Sequence, residues 1–286
     1  MFNKSRKKLV NSIKDVVKSV LKENGYTQTY IPFERHSNEY VVKHSKISYP
    51  LCDYGLPIPQ VELRSGYEAD DKEFIENSRQ DIKNLIEIAE RSGMKFDETK
   101  TILDFGCSTG RMIRSLKPYA DTKEIWGTDV NADHIYWCNK YLKPPFNFAV
   151  NTFNPHLPFE DRYFDLIYSG SVFTHIDNLI ESWLLELRRI LSENGRLYIT
   201  IHDNHNMKVF DENKEIPLSV YLRGNQFYGK SRKDFDFIVL NRSKSPQVFF
   251  DIEYFRKLVH PMFEILSVNH ESYGYQTGIL LKRKSK

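Results

Sequence analysis

The chain has 286 residues, of which 40% are hydrophobic and 28% charged, a composition typical of globular proteins. Its 13 Gly and 12 Pro are scattered, which excludes a collagen-like or low-complexity chain. No stretch approaches the roughly 18 consecutive apolar residues of a membrane span. The three cysteines lack CxxC spacing. We therefore expect neither a disulfide framework nor a structural zinc site, and we expect a reducing cytoplasmic location.

The basic residues are concentrated at the two ends of the chain. Residues 1–22 carry seven Lys or Arg and one acid, and residues 282–286 carry four Lys or Arg. Because the whole chain has a net charge of +3, the residues between these ends carry −7. A nucleic-acid binder spreads its basic residues along a working face. We therefore do not expect nucleic acid to be the main partner.

Residues 1–24 predict an amphipathic helix that ends near Gly25. Its apolar residues recur at spacings of three and four, with lysines on the other face; they are Leu9, Ile13, Val16, Val17, Val20 and Leu21. Two interpretations remain open, a helix packed on its own domain or a helix in weak contact with a membrane surface or a partner. Residues 26–66 are rich in aromatic residues and prolines. This composition predicts an irregular segment that covers the substrate.

From residue 70 onward the pattern becomes regular. A helix is predicted from Asp70 to Arg91, and strands are predicted over 101–105, 124–129, 146–150, 163–169 and 196–201. Helices are expected between these strands, over 108–116, over 131–142, and from a cap at Asp177 to a stop at 192–195. A mixed segment at 203–247 follows, then a helix over 251–259 and two strands, 263–270 and 275–283. Since only a few residues join these last strands, they must run antiparallel.

This order of elements predicts an α/β protein. We expect a Rossmann-like, mostly parallel seven-stranded sheet with helices on both faces and a C-terminal antiparallel hairpin. The N-terminal helices and the covering segment would occupy residues 1–95. The ligand-binding domain would occupy residues 96–286, with an insertion at 203–247.

The loop after the first strand, within ILDFGCSTGR, carries the strongest functional signal. Glycines at 106 and 110 let the backbone approach a ligand, and ligands bind beyond the carboxyl ends of parallel strands. The spacing does not match the dinucleotide fingerprint G-x-G-x-x-G. GCSTG does match the G-x-S-x-G turn of serine hydrolases, with Ser108 as the nucleophile. That alternative stays open.

A third interpretation is binding of S-adenosylmethionine (SAM). Because SAM has no phosphate, its site needs acceptors for an ammonium group and a ribose diol rather than a cradle for an anion. Asp104 can accept from the ammonium, directly or through water. Asp129, which ends the second strand, can accept both ribose hydroxyls as a bidentate carboxylate. This interpretation gives both acids a role.

Residues 96–286 resemble the class I SAM-dependent methyltransferases. The similar segments are ILDFGCSTGR, IWGTDVN, NTFNPHLPFEDRYFDLIYSGSVFTHI and ENGRLYITIHD. The most similar type is a bacterial group with SVFTH after the fourth strand and GYQ at the start of the last, here Ser171–His175 and Gly274–Gln276. Besides Asp104, the resemblance implies that SAM is bound by Gly106, Cys107, Ser108, Gly110, Asp129, Val130, Asn151, Thr152, Phe153, Ser169 and Gly170. Ser108 stands where the family usually has Gly, and Asn151–Phe153 replace the usual acid.

The acceptor and the base are predicted less directly. A hydroxyl acceptor gains from a general base, which near neutral pH is usually His. His175, after the fourth strand, is the first candidate, and His202 and Asp203, after the fifth, are the next. The histidines have no metal-ligand spacing such as H-E-x-x-H, so we expect no metal. We predict methyl transfer to a hydroxyl, or an amine, of a small molecule or glycan. A non-catalytic binding module of the same fold is the other alternative, and the sequence makes no prediction of oligomeric state.

Overall fold

The structure is a computed structural model that describes residues 12, 13, 16, 17, 19, 49–242 and 246–284. The chain divides into two compact units, residues 1–47 and 48–286. In the first unit, the described positions of the predicted amphipathic helix are helical, whereas Leu9, Val20 and Leu21 lie outside the described residues. The predicted division of roles at residue 95 stays a prediction. None of the helices in the described part of the chain has the length and hydropathy of a membrane span.

Nine strands lie in the described part of the second unit. They are β1 (Thr101–Phe105), β2 (Glu124–Asp129), β3 (Asn147–Val150), β4 (Phe164–Ser169), β5 (Leu191–Ile201), β6 (Phe237–Leu240), β7 (Gln247–Phe250), β8 (Phe263–Tyr273) and β9 (Gln276–Arg283). Seven form one sheet in the order β3-β2-β1-β4-β5-β9-β8. Strands β1 to β5 are parallel, and β9 pairs antiparallel with both β5 and β8. The predicted fold class is therefore confirmed.

Helices connect these strands. The α-helices of the second unit are Asp71–Arg91, Ala132–Tyr141, Ile180–Ile190, Asn204–Glu212, Pro217–Gly224, Gln226–Ser231 and Ile252–Val259, with 3-10 turns at Val61–Leu63, Phe96–Glu98 and Ile113–Tyr119. The side chains of Asp70, Asn131 and Asp251 accept hydrogen bonds from backbone N–H groups at the starts of three of these helices. Such caps satisfy N–H groups that have no partner inside a helix. The predicted helices at 70–91, 131–142 and 251–259 are confirmed.

The core lies on both faces of the sheet, because successive side chains of a strand point to opposite sides. In β1, Ile102 joins an apolar cluster with the helices Asp71–Arg91 and Ala132–Tyr141, and Leu103 joins a second cluster with Ile180–Ile190 and Ile252–Val259. Both side chains are fully buried. Since β1 is covered on both faces, its residues read as a nearly continuous apolar run in the sequence.

Three predicted helix boundaries are wrong. The predicted helix over 108–116 is a turn followed by the 3-10 helix Ile113–Tyr119, because Ser108 and Gly110 have φ values of +49° and +74°. A right-handed helix cannot contain such residues. Asp177 does not cap the next helix: Leu179 occupies that position, and Asp177 forms a salt bridge with Arg242 at 2.7 Å. The helix stop expected at 192–195 comes earlier, at Ile190, because β5 already begins at Leu191.

The insertion at 203–247 folds into regular structure. It contains three short helices and one strand, β6, which pairs with β7. Their apolar side chains form a third cluster with Phe249 of β7; its members include Met207, Phe210, Leu222, Tyr228, Ile238 and Leu240. His202, directly after β5, bridges to Phe249. The insertion is therefore packed against the carboxyl end of β5.

Candidate active site

A cavity of about 1480 Å³ opens at the carboxyl ends of β1, β2 and β4. Nine predicted site residues line it: Gly106, Ser108, Asp129, Val130, Asn151, Phe153, Gly170, His175 and His202. Asp104, Cys107, Gly110, Thr152, Ser169 and Asp203 are not among the lining residues. Sites for single drug-sized ligands measure about 300–1,000 Å³. This cavity therefore has room for two ligands side by side.

The glycine loop is held in place by β2. The N–H groups of Gly106 and Cys107 both donate to the carbonyl oxygen of Thr128, at 2.8 and 2.9 Å. Gly106 has a φ of +83°, and a Cβ at this position would collide with the side chain of Val172. Ser108 adopts a left-handed conformation that glycine reaches without strain. This explains why the family that the chain resembles usually has glycine at this position.

Asp129 lies at the end of β2 with its carboxylate fixed by the backbone. One oxygen accepts from the N–H of Ser108 at 2.8 Å, and the other accepts from the N–H of Asn131 at 2.8 Å. An ionised carboxylate has about four acceptor positions. Two of them therefore stay free on a side chain that lines the cavity, which is the arrangement that a ribose diol requires.

Asp104 lies deeper, with only 3% of its surface exposed. Burial raises the pKa of this carboxyl from 3.8 to about 7, although the hydroxyl of Tyr168 and the guanidinium of Arg111 act in the opposite direction. A carboxylate in a poorly solvated site is stabilised when a cation binds beside it. Asp104 is therefore placed to respond to an ammonium group at the bottom of the cavity.

The β2–β3 side of the cavity combines apolar walls with an amide. Val130 and Phe153 are large apolar side chains that remain 42% and 62% exposed, and both line the cavity. The Oδ1 atom of the buried Asn151 has no hydrogen-bond partner among the described residues. Apolar surfaces with one amide oxygen between them suit a flat base that carries an amino group.

A cluster around Arg111 was missed by the sequence analysis. Its Nη2 atom donates to Oδ2 of Asp81 and to the hydroxyl of Tyr273, both at 2.6 Å, and the guanidinium lies 4.3 Å from the ring centroid of Tyr67. The buried Nε atom has no partner in the described structure. An unused guanidinium N–H beside the glycine loop can bind a carboxylate. The available signal was the position of Arg111, directly after Gly110.

His175 projects into the cavity from the turn after β4. Its Nδ1 atom is 2.7 Å from the carbonyl oxygen of Pro246, and the N–H of Val248 donates to the carbonyl of Thr174 at 2.9 Å. Because a carbonyl only accepts, Nδ1 carries the proton and Nε2 keeps its lone pair. Desolvation lowers the pKa of His175 below 6.5, partly offset by the bond to Pro246. The ring is therefore neutral near pH 7, with a basic nitrogen available.

Two motifs that are distant in sequence meet beneath His175. Gln276 of the GYQ motif accepts from the hydroxyl of Thr200 at 2.6 Å and donates to the hydroxyl of Ser171, in SVFTH, at 2.8 Å. The N–H of Ser171 in turn donates to Thr200 at 2.7 Å. This network joins the ends of β4, β5 and β9, and it fixes the turn that carries His175.

The other two candidate bases differ in their surroundings. His202 lines the cavity, is only 2% exposed and packs against Phe249 and Tyr275, with ring centroids 5.0 and 5.8 Å away. Asp203 is fully buried and accepts hydrogen bonds from the backbone N–H groups of His205 and Asn206 and from Thr277. The carboxylate of Asp203 thus caps the helix Asn204–Glu212, away from the cavity.

A serine hydrolase needs a histidine beside its nucleophile, and Ser108 has His134 as such a neighbour. Its hydroxyl lies 3.3 Å from Nδ1 of His134 and 2.8 Å from the hydroxyl of Ser65. Burial lowers the pKa of His134. However, no carboxylate in the described ranges forms a hydrogen bond to the His134 ring, so a charge-stabilising third residue is lacking. The described residues also contain no group of three or more His, Cys, Asp or Glu arranged to bind a metal.

Solved structures share this fold at low sequence identity. The PH0226 protein from Pyrococcus horikoshii OT3 is 20% identical, with a TM-score of 0.53 over 77% of this chain and 100% of that one. A SAM-dependent methyltransferase from Clostridium acetobutylicum ATCC 824 is 16% identical, with a TM-score of 0.52 over 78% and 94%. A putative methyltransferase from Haloferax volcanii, solved with the Trm112 methyltransferase activator, is 16% identical, with a TM-score of 0.50 over 75% and 95%.

The amino-acid sequence of the sheet and its loops matches a known family. Residues 103–199, which include the glycine loop, Asp129 and the SVFTH turn, match the family model of a methyltransferase domain. These findings support a class I SAM-dependent methyltransferase. Its cofactor is therefore SAM, and the hydrolase and non-catalytic alternatives are not supported.

The cavity of this methyltransferase fits SAM on three separate counts. The free acceptor positions of Asp129 suit a ribose diol, the unpaired Asn151 oxygen suits an adenine amino group, and the unpaired Nε of Arg111 suits a carboxylate. The observed volume also leaves space for an acceptor next to SAM. The arrangement can therefore bring a nucleophile and an activated methyl group together in one enclosure.

Proposed function

We propose that this methyltransferase transfers the methyl group of SAM to a hydroxyl group of a small molecule or sugar, with His175 as the general base. The observation that carries the proposal is the His175 ring, which faces the cavity with Nδ1 held by Pro246 and Nε2 free. A neutral amine acceptor would need no such base, whereas a hydroxyl gains from losing its proton as it attacks.

The proposed SAM site uses the residues that the sequence predicted, with one addition. Asp129 would hold the ribose, Val130, Asn151 and Phe153 the adenine, and the backbone from Gly106 to Gly110 the methionine part. Asp104 would stabilise the ammonium from below. We add Arg111 as the partner of the methionine carboxylate, because it has an unused N–H beside the loop. Cys107, Gly110, Thr152 and Ser169 would shape this site without lining the cavity, and Gly170 would border the reacting centre.

The chemistry required of the chain is then limited. When bound, SAM supplies a methyl group on a positively charged sulfur, and the carbon–sulfur bond breaks as the acceptor oxygen takes the methyl. The Nε2 atom of His175 takes the proton that leaves the hydroxyl, and the Pro246 carbonyl stabilises the imidazolium through Nδ1–H. Binding of both ligands in one cavity would align the acceptor oxygen with the methyl group. His202 and Asp203 are not used as bases, because burial lowers the pKa of His202 to about 3 and Asp203 caps a helix.

The test is a methyl-transfer assay with radiolabelled SAM and a panel of neutral alcohols, phenols, sugars and amines. His175→Gln should lower kcat for hydroxyl acceptors about 100-fold or more. Its affinity for S-adenosylhomocysteine, measured by calorimetry, should not change. His260→Gln is the matched control, because His260 is exposed at the end of the helix Ile252–Val259. Methylation of amines alone, or an unchanged kcat in His175→Gln, would overturn the proposal.

A further inference from the structure

The end of the cavity formed by the insertion differs from the SAM end. Its lining includes the apolar side chains of Ile216, Pro217 and Leu218 beside Tyr275, and the polar side chains of His202, Gln247 and Gln276. The wall behind them is the third apolar cluster, which contains Phe210 and Phe249. A sugar needs hydrogen-bond partners around its whole ring, and these apolar side chains do not supply them. A flat aromatic ring buries apolar surface against such a wall without leaving polar groups unpaired.

His202 is a deeply buried polar residue at this end. Its side chain is 2% exposed, yet neither ring nitrogen forms a well-aligned hydrogen bond among the residues that the structure describes, although the backbone of Val248 lies close enough to raise the pKa of the ring. Its ring lies nearly parallel to that of Tyr275, at an interplanar angle of 27°. Buried polar atoms in folded proteins are almost always hydrogen-bonded, to protein, water or a ligand. A neutral imidazole offers one donor and one acceptor, which matches the hydroxyl of a phenol.

The charged residues around the cavity also restrict which acceptor it can bind. Five carboxylates from the described chain line it, those of Glu68, Asp81, Asp129, Asp177 and Glu271, against the single guanidinium of Arg111. Arg111 is paired with Asp81, and Asp177 with Arg242, so that Glu68, Asp129 and Glu271 are the lining carboxylates without a salt bridge to Lys or Arg in the described structure. This surplus of negative charge favours SAM, which carries a positive sulfonium, and it disfavours a second ligand with a carboxylate or phosphate.

We propose that the acceptor is an uncharged hydroxylated aromatic molecule, of the catechol type, whose ring packs against the insertion and one of whose hydroxyls is held by His202. This inference rests on the proposed hydroxyl methylation and narrows its substrate class. His202 is a positioning residue: it holds one hydroxyl while the neighbouring hydroxyl faces His175. The insertion at 203–247 thereby determines acceptor specificity.

Binding of defined probes tests the inference without requiring turnover. Calorimetry in the presence of S-adenosylhomocysteine would compare 4-methylcatechol, toluene as its hydroxyl-free parent, and methyl α-glucoside. We expect 4-methylcatechol to bind more tightly than the glucoside. His202→Phe should weaken binding of 4-methylcatechol about tenfold, since one buried hydrogen bond is lost, and should leave toluene binding unchanged. His202→Gln, which keeps a donor and an acceptor, should retain more of the affinity.

The outcomes separate this inference from the proposed function. Tighter binding of the glucoside, or equal loss of toluene and catechol affinity in His202→Phe, would overturn the aromatic assignment while hydroxyl methylation could still be observed. Conversely, His202-dependent catechol binding with methyl transfer only to amines would overturn the proposed function alone. Unchanged affinity of His202→Phe for S-adenosylhomocysteine would show that the variant is folded.

Discussion

The burial of Asp104 gives a prediction about pH that can be calculated from the structure. Folding raises the pKa of this carboxyl from 3.8 to about 7. The folded protein therefore holds a proton that the unfolded chain loses near pH 4, and stability falls as pH rises from about 4 to about 7. A difference of roughly three pKa units corresponds to about 4 kcal/mol, all of it lost above pH 7. Asp104→Asn should therefore stabilise the free protein at pH 8 and have no such effect at pH 4.

The same group links cofactor binding to pH. If the ammonium of the cofactor favours the ionised form of Asp104, binding releases a proton below pH 7. At pH 6 about nine-tenths of the molecules are protonated, so the affinity should be about tenfold weaker than at pH 8. Asp104→Asn should bind more weakly at pH 8 and show no slope over this range.

Calorimetry with S-adenosylhomocysteine between pH 5.5 and 8 measures this linkage. Titrations near pH 6 to 7 in phosphate and in Bis-Tris, which have different ionisation enthalpies, give the number of protons released. Denaturant unfolding of the wild type and Asp104→Asn at pH 4 and pH 8 gives the stability difference. An affinity of the wild type that does not change with pH, or an equal slope in the variant, would refute the assignment of Asp104 to the ammonium.

Three further outcomes follow from the loop after β1. Arg111→Gln should lower the affinity for S-adenosylhomocysteine about tenfold but should not lower that for 5′-methylthioadenosine, which lacks the carboxylate. If calorimetry shows equal losses of affinity for the two ligands, Arg111 is not the partner of the carboxylate. In denaturant unfolding, Gly106→Ala should destabilise the fold by about 2 kcal/mol more than Gly93→Ala. Both glycines have φ near +82°, but a Cβ would meet another side chain only at Gly106. Equal losses of stability in the two variants would argue against this clash. Ser108 should stay unlabelled by a fluorophosphonate probe, and labelling would revive the hydrolase alternative.

The sequence predicted the sheet well because its strands are short apolar runs buried on both faces. The bounds of β1 and β2 were predicted to the residue, and the antiparallel hairpin followed from the few residues between its strands. The helix expected over 108–116 failed for a local reason. Ser108 has a left-handed backbone whose N–H donates to Asp129, 21 residues further along the chain, and residue type alone does not reveal this conformation.

The candidate site could be predicted only in part. Residues that follow strand ends, such as Asp129 and His175, line the cavity because the topology of a parallel sheet brings these ends together. The Arg111 cluster could not be predicted, since Tyr67 and Tyr273 are 206 residues apart in the chain and meet through a hydroxyl–hydroxyl contact of 2.6 Å. Likewise, nothing in the sequence around His202 indicates that neither of its ring nitrogens forms a well-aligned hydrogen bond in the described structure.

The binding of SAM between the glycine loop and Asp129 is the central claim, and a crystal structure with S-adenosylhomocysteine tests it most directly. Both ribose hydroxyls should lie within hydrogen-bond distance of the Asp129 carboxylate, with the sulfur directed toward the part of the cavity that contains His175. A nucleoside bound elsewhere, or a cavity without nucleoside at saturating concentration, would contradict the account.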